Sequence, residues 1–195
     1  FRSDHGDMMG SHMLLAKTVM FEESTSVPLL LRAPGLKPRK ESCPVSHIDM
    51  LPTLLDLMGA PCPEAVEGQS LKPLLESGAP SEPANVFIEW SGSNSGISNL
   101  EKEKTEIPDF MAQLASREEL DKALRDPVRT VITSEGWKLN HSPLLGQHEL
   151  YNLKNDPLEL NNLFGVPEHA KRVADLRRLL AQWGEKTKDT VAASI

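Results

Sequence analysis

No stretch of this chain approaches the roughly 20 consecutive apolar residues that a bilayer-spanning helix needs, so a transmembrane helix is excluded within its 195 residues. Cysteine is scarce as well. Cys43 and Cys62 are the only two and do not form a CxxC pair, which removes the usual zinc and thioredoxin-like arrangements; they fit either one disulfide or two buried thiols. Positive charge is short: 21 Lys and Arg stand against 28 Asp and Glu, a formal net charge of −7. A surface that neutralises nucleic-acid phosphates needs the opposite balance, so neither nucleic acid nor membrane is an expected partner. A small anion remains compatible, because a local site needs only a cation and a few converging donors. The chain starts at Phe1 with no charged-then-apolar leader, so nothing here reports a signal peptide. Phe1-Arg2-Ser3 reads as the end of a strand, and the N-terminus is expected to be a truncation.

What is present is the mixture of a folded domain, 39% hydrophobic and 25% charged, long enough to bury a full core. After the loop Asp4-His5-Gly6-Asp7, Met13, Leu14 and Ala16 fit a short irregular helix. Val27 to Arg32 (VPLLLR) reads as a strand with Pro28 near its start or at an edge. Asp49 is placed to cap a helix that carries Leu51, Leu54, Leu55 and Met58 on one face, Pro52 in its first turn, and ends at Gly59. Val86 to Trp90 (VFIEW) is a second strand. The polar stretch from Ser91 to Pro127 carries one clear helix signal, the capping box that begins at Ser116, and its length suggests an insertion on the substrate side. Val128 to Thr133 and Trp137 to Asn140 form a hairpin through Ser134-Glu135-Gly136, with a third strand at His148 to Leu153. Asn155-Asp156-Pro157 is a turn. Pro167 opens a helix with the stripe Ala170, Val173, Leu176, Leu180 and Trp183, and Gly184 is expected just past its end.

Chemistry concentrates at the start, in Ser3-Asp4-His5-Gly6-Asp7-Met8-Met9-Gly10-Ser11-His12, then Lys17 and Phe21-Glu22. A carboxylate and an imidazole side by side after a strand end can both reach one cation, as oxygen and nitrogen ligands. By itself such a triplet is also the composition of an ordinary turn. Asp7 is expected to brace the loop and Glu22 to hold an outer contact of the site. His47, His141 and His148 each stand alone and are read as structural.

The order Ser3-Asp4-His5-Gly6, Gly10-Ser11-His12, Lys17, Phe21-Glu22 and Val27-Pro28-Leu29 resembles the sulfatase family of the alkaline-phosphatase superfamily. The likeness continues in Asp49-Met50-Leu51-Pro52-Thr53-Leu54-Leu55, Gly68-Gln69-Ser70-Leu71, Trp137-Lys138-Leu139, Glu149-Leu150-Tyr151-Asn152-Leu153 and Asn155-Asp156-Pro157-Leu158-Glu159. It covers nearly everything outside Ser91 to Pro127. The resemblance implies an α/β fold: part of an alkaline-phosphatase-like mixed sheet with helices, plus a small C-terminal antiparallel sheet covered by a helix. Residues 1–90 would be the C-terminal part of the catalytic domain, 91–127 the insertion, and 128–195 the C-terminal α+β subdomain.

By the same resemblance Asp4 and His5 would ligate a divalent metal, calcium first, with manganese or magnesium open because an imidazole stands where many relatives carry an amide. Lys17 would act catalytically by contacting a sulfate oxygen. His12 is placed with Lys17 on the substrate side, a hydrogen bond to the loop backbone being the alternative. The family's formylglycine arises from a C/S-x-P-x-R motif, and neither Cys43-Pro44-Val45 nor Cys62-Pro63-Glu64 supplies it. That group is expected upstream, outside this chain, so the chain alone should be inactive. The expected partners are a sulfated small molecule or carbohydrate and the remainder of the protein's own N-terminal domain. Family habit suggests a periplasmic, secreted or lysosomal setting. A phosphonate monoester or phosphodiester hydrolase of the same superfamily, and a non-catalytic fragment, are the competing readings.

Overall fold

The computed structural model describes residues 1–78, 85–91 and 116–195. The insertion expected between Ser91 and Pro127 therefore falls for its larger part outside the described residues. The chain divides into two compact units, residues 1–86 with 132–137, and residues 87–131 with 138–195.

In the first unit the chain is mostly turns and short helices. A 3-10 turn spans Ser11–Met13, followed by α1 (Glu22–Thr25), α2 (Met50–Leu57) and α3 (Lys72–Ser77). The apolar run Val27 to Arg32 does not form the expected strand. It contributes one antiparallel bridge, Arg2 to Leu29, with the Leu30 amide donating to the Phe1 carbonyl at 2.8 Å. A strand needs a partner over several residues, and here pairing stops after Arg2. Leu30 is consequently 66% exposed.

Helix α2 lies where its periodicity places it, but its stripe is turned outward, with Leu51, Leu54 and Met58 exposed while Pro52 and Thr53 are buried. Asp49 precedes α2 without capping it through its side chain. Its carboxylate accepts instead from the Ser46 amide and the Gln69 amide, both at 3.0 Å. The Thr53 hydroxyl donates to the Asp49 carbonyl at 2.5 Å and accepts from the Leu71 amide at 2.8 Å. Ser70 and Lys72 both bond the Asp56 carboxylate. The two downstream motifs of this unit are thus one staple, α2 tied to the Gly68-to-Leu71 loop by the buried Asp49 and Thr53 and, nearer the surface, by Asp56.

The second unit holds a four-stranded antiparallel sheet in the order β1 (Val86–Glu89), β2 (Arg129–Ile132), β3 (Trp137–His141), β4 (Glu149–Asn152). VFIEW, grouped by sequence with the first domain, is the edge strand of this sheet. Among the described residues the unit also holds the α-helices α4 (Arg117–Arg125), with its Ser116 capping box formed, and α5 (Ala170–Thr187). Val131, Leu139, Leu150, Leu176 and Leu180 are all at most 1% exposed. They form the core between sheet and α5 that the strand and helix periods require. Phe87 stacks on Trp183 with ring centroids 5.2 Å apart.

Gly184 lies inside α5, not beyond it: the helix runs on to Thr187 and stops where Lys188 turns to φ 60°. The reason is tertiary. The chain doubles back so closely that a Cβ on Gly184 would lie 2.4 Å from the Ala193 nitrogen, and only glycine lets the helix continue beneath the return. Arg129 secures that return, bonding the Asp189 carboxylate through Nε at 3.0 Å and through a terminal nitrogen at 2.8 Å, and the Trp90 carbonyl at 2.9 Å. No helix among the described residues is long and apolar enough to cross a membrane. Cys43 and Cys62 are unbridged thiols, Cys62 exposed, and burial pushes the Cys43 thiol above its usual range.

Candidate metal and anion site

The loop that carries Asp4 and His5 is held at Gly6. Its amide donates to the Ser24 carbonyl at 2.8 Å, and a Cβ there would stand 1.9 Å from the Glu23 carbonyl oxygen. That contact allows no side chain, so Gly6→Ala must push the loop off α1. The expected result is a loss of about 1–3 kcal/mol of stability, typical of overpacking, with weaker metal binding; a melting curve and a metal titration matching the unsubstituted protein would disprove the tight seat.

His5 Nδ1 lies 2.8 Å from the Gly6 carbonyl oxygen. A carbonyl only accepts, so the proton is on Nδ1 and the Nε2 lone pair faces outward. Asp4 Oδ2 is 3.5 Å from that Nε2, and the Lys17 ammonium donates to the same nitrogen. Asp4 is 82% exposed, and its own amide and that of His5, together with the His5 ring, hold its carboxyl below the usual range. It is therefore ionised at neutral pH.

This donor pair fits a divalent cation. Two ligands bound at right angles, each about 2.4 Å from a calcium ion, are about 3.4 Å apart, close to the Asp4–His5 separation. Among the described residues no group of three or more His, Cys, Asp or Glu is placed to hold a metal.

The following loop is strained. Met9, His12, Met13, Ala16 and Thr18 all have positive φ, from 47° to 87°, a conformation that costs non-glycine residues of order 1–3 kcal/mol each and concentrates where geometry serves a ligand. Met8 anchors it from below, 1% exposed, its amide donating to the Ala16 carbonyl at 2.7 Å. The Met9 amide donates to Asp7 Oδ1 at 2.9 Å, the bracing role expected of Asp7.

Asp4, His5 and Lys17 thus converge. His12 is turned to a different neighbour: its ring stacks on Phe21, centroids 3.8 Å apart and planes within 10°. Glu23 ties α1 to the loop, accepting from Ser11 Oγ at 2.5 Å. His47, read from the sequence as a structural residue standing alone, has a ring that reaches the Ser3 backbone and is held below its usual pKa by burial and by the Arg2 charge, partly offset by Asp4. Nothing in the local pattern around His47 announces a neighbour so distant in sequence.

The comparisons with known proteins bear on the chain as a whole. Residues 10–95 match the profile of a family described as N-sulphoglucosamine sulphohydrolase, C-terminal. The chain is 30% identical over 190 residues to the sulfatase YidJ of Escherichia coli (strain K12), covering 97% of this chain and 32% of that protein. Among solved structures, BT4656 in complex with its substrate D-glucosamine-2-N,6-O-disulfate superposes with a TM-score of 0.73 at 28% identity, over 97% of this chain and 34% of the other. The phosphonate monoester hydrolase SpPMH from Silicibacter pomeroyi superposes with a TM-score of 0.71 at 26% identity, over 95% of this chain and 34% of that one. The chain spans about a third of the length of the relatives it matches. With an alkaline-phosphatase-like α/β fold, a matching C-terminal profile and relatives of this kind along nearly its full length, the chain belongs to the sulfatase family, whose C-terminal portion it represents.

Proposed function

We propose that the whole protein is a metal-dependent sulfatase that hydrolyses a sulfate ester on a small molecule or carbohydrate. In this reading the chain contributes Asp4 and His5 as metal ligands and Lys17 as the cation that contacts the sulfate. The observation that carries the reading is the convergence of Asp4 Oδ2 and the Lys17 ammonium on His5 Nε2. Asp4 and His5 would hold a divalent cation, calcium first by its preference for carboxylate oxygen, which would supply positive charge to stabilise the sulfate oxygens.

Asp4 and His5 orient that charge, the Gly6 carbonyl keeping His5 in the tautomer that presents Nε2. Lys17 cannot share a single lone pair with a cation. With a metal held by Asp4 and His5, the Lys17 ammonium would be free to donate to a sulfate oxygen, where a fixed positive donor is worth most as charge builds during bond cleavage. The nucleophile, expected to be a formylglycine, belongs to sequence outside this chain. Supporting the substrate class is the sulfated glucosamine bound by the similar structure BT4656.

A metal-stripped full-length protein should release no sulfate from an aryl sulfate and regain turnover on adding calcium or manganese; turnover unaffected by chelation would refute the metal assignment. The likeness to a phosphonate monoester hydrolase supports a second reading, because a cation and an ammonium would serve a phosphoryl group equally. Preference for an aryl phosphonate over an aryl sulfate in the same assay would decide for it.

A further inference from the structure

His141 and His148, which sequence leaves as isolated structural histidines, are neither isolated nor fully satisfied. Their rings stack with centroids 4.7 Å apart and planes within 14°. His148 continues the contact to Phe164 at 4.9 Å, and the Arg177 guanidinium lies over the other part of that cluster, 5.5 Å from the Phe164 centroid. All four residues belong to the second unit. They bring the end of β3, the start of β4, the turn before α5 and α5 itself to one place.

The hydrogen-bond pattern there is one-sided. The Ser142 amide donates to His148 Nδ1 at 3.1 Å, so that nitrogen is the acceptor and the ring proton sits on Nε2. Burial, then the mutual effect of the rings and the Arg177 charge, holds His141 neutral down to about 4, and His148 is lowered for similar reasons. At neutral pH the one full positive charge in the cluster is Arg177. Asp126, whose charge acts on both rings, accepts from the Ser142 hydroxyl, from the Leu144 amide at 3.1 Å and from the Leu145 amide at 3.3 Å. Meanwhile His141 Nδ1 and Arg177 Nε are buried and make no hydrogen bond. An unsatisfied buried donor on a charged group is costly, and these two belong to a single cluster of stacked rings.

We propose that His141, His148 and Arg177 form a binding site for one small oxyanion, a carboxylate or a sulfate group. The guanidinium edge supplies the charge-assisted donor, with Nε–H as one tine of the fork that suits a two-oxygen acceptor. His148 Nε2–H adds a neutral donor, and Phe164 holds the guanidinium plane from its apolar side. Stacking of two neutral imidazoles fixes the angle at which the ring nitrogens are presented. Neutrality matters, since two imidazolium rings in that stack would repel each other and the adjacent guanidinium. The site does not rest on the sulfatase reading, and loss of that reading would leave it standing.

The test is a titration of the full chain, with histidines labelled at Cε1, by sodium sulfate and separately by sodium acetate at constant ionic strength. Saturable shifts of the His141 and His148 resonances with either anion are expected, with Arg177→Gln weakening the binding by about tenfold or more, as loss of a charged hydrogen bond implies. Which anion saturates first identifies the ligand as tetrahedral or planar. Shifts that merely follow those of sodium chloride, or binding undiminished in a folded Arg177→Gln chain, would overturn the proposal. Should Arg177→Gln fail to fold, Arg177→Lys keeps the charge without the fork and should bind several-fold more weakly; equal affinity would overturn it as well.

Discussion

Replacing Lys138 with alanine is expected to cost about 3–5 kcal/mol, the range for breaking a buried ion pair by removing one partner. Lys138 Nζ and Glu159 Oε1 are 2.9 Å apart, and both side chains are fully inaccessible to solvent. Lys138 precedes Leu139 on β3, so the strand's period of two sends it to the face opposite that core leucine. There it meets a glutamate whose backbone is itself unusual, with φ at 52°. The turn that delivers Glu159 is built by Asp156, whose carboxylate accepts from the Leu160 amide at 3.1 Å and the Asn161 amide at 2.8 Å. With the ammonium gone, the carboxylate keeps its desolvation penalty and loses its counter-charge. The double replacement Lys138→Met with Glu159→Leu should recover most of the loss, because hydrophobic groups of similar volume carry no such penalty. Urea unfolding of the three proteins checks this. A single-variant loss within about 0.5 kcal/mol, the level of an ordinary surface change, would mean that water reaches the pair.

Lys17→Ala in the full-length protein should lower kcat by about 10²–10³-fold, the usual effect of deleting one preorganised donor to developing negative charge. The informative part is the second readout. The Lys17 ammonium competes for the His5 Nε2 lone pair, so its removal should leave metal affinity unchanged or raise it. A lysine that only braced the strained loop would, when removed, weaken metal binding together with turnover. Parallel losses in both measurements would therefore return Lys17 to a structural role, and unchanged kcat would remove it from the mechanism.

Most of what the sequence made legible is short-range. The hairpin at Ser134-Glu135-Gly136, the Ser116 capping box and the Ala170–Thr187 stripe all appear where local pattern puts them. Each depends on groups within a few residues of one another, and the stripe meets a sheet that can cover it. The adjacency of Asp4 and His5 and the spacing to Lys17 were legible in the same way, through one strained loop. Val27 to Arg32 failed as a strand because β structure is a property of pairs, and its partner stops at Arg2. The α2 stripe had the right period but no face within this chain that buries Leu51, Leu54 and Met58.

Motif order by itself carried the resemblance to the sulfatase family and its α/β fold, and periodicity placed the C-terminal helix. Only the tertiary structure decided that Gly184 stays helical beneath Ala192 and Ala193, that Glu23 holds the loop through Ser11, that His12 packs on Phe21, and that His141 and His148 share a stack with Phe164 and Arg177. The physical reason is the same in each case. A local pattern records what a residue contributes to its own helix, strand or turn, whereas these contacts arise where the chain doubles back on itself, and burial there sets the partners, the tautomers and the charge states.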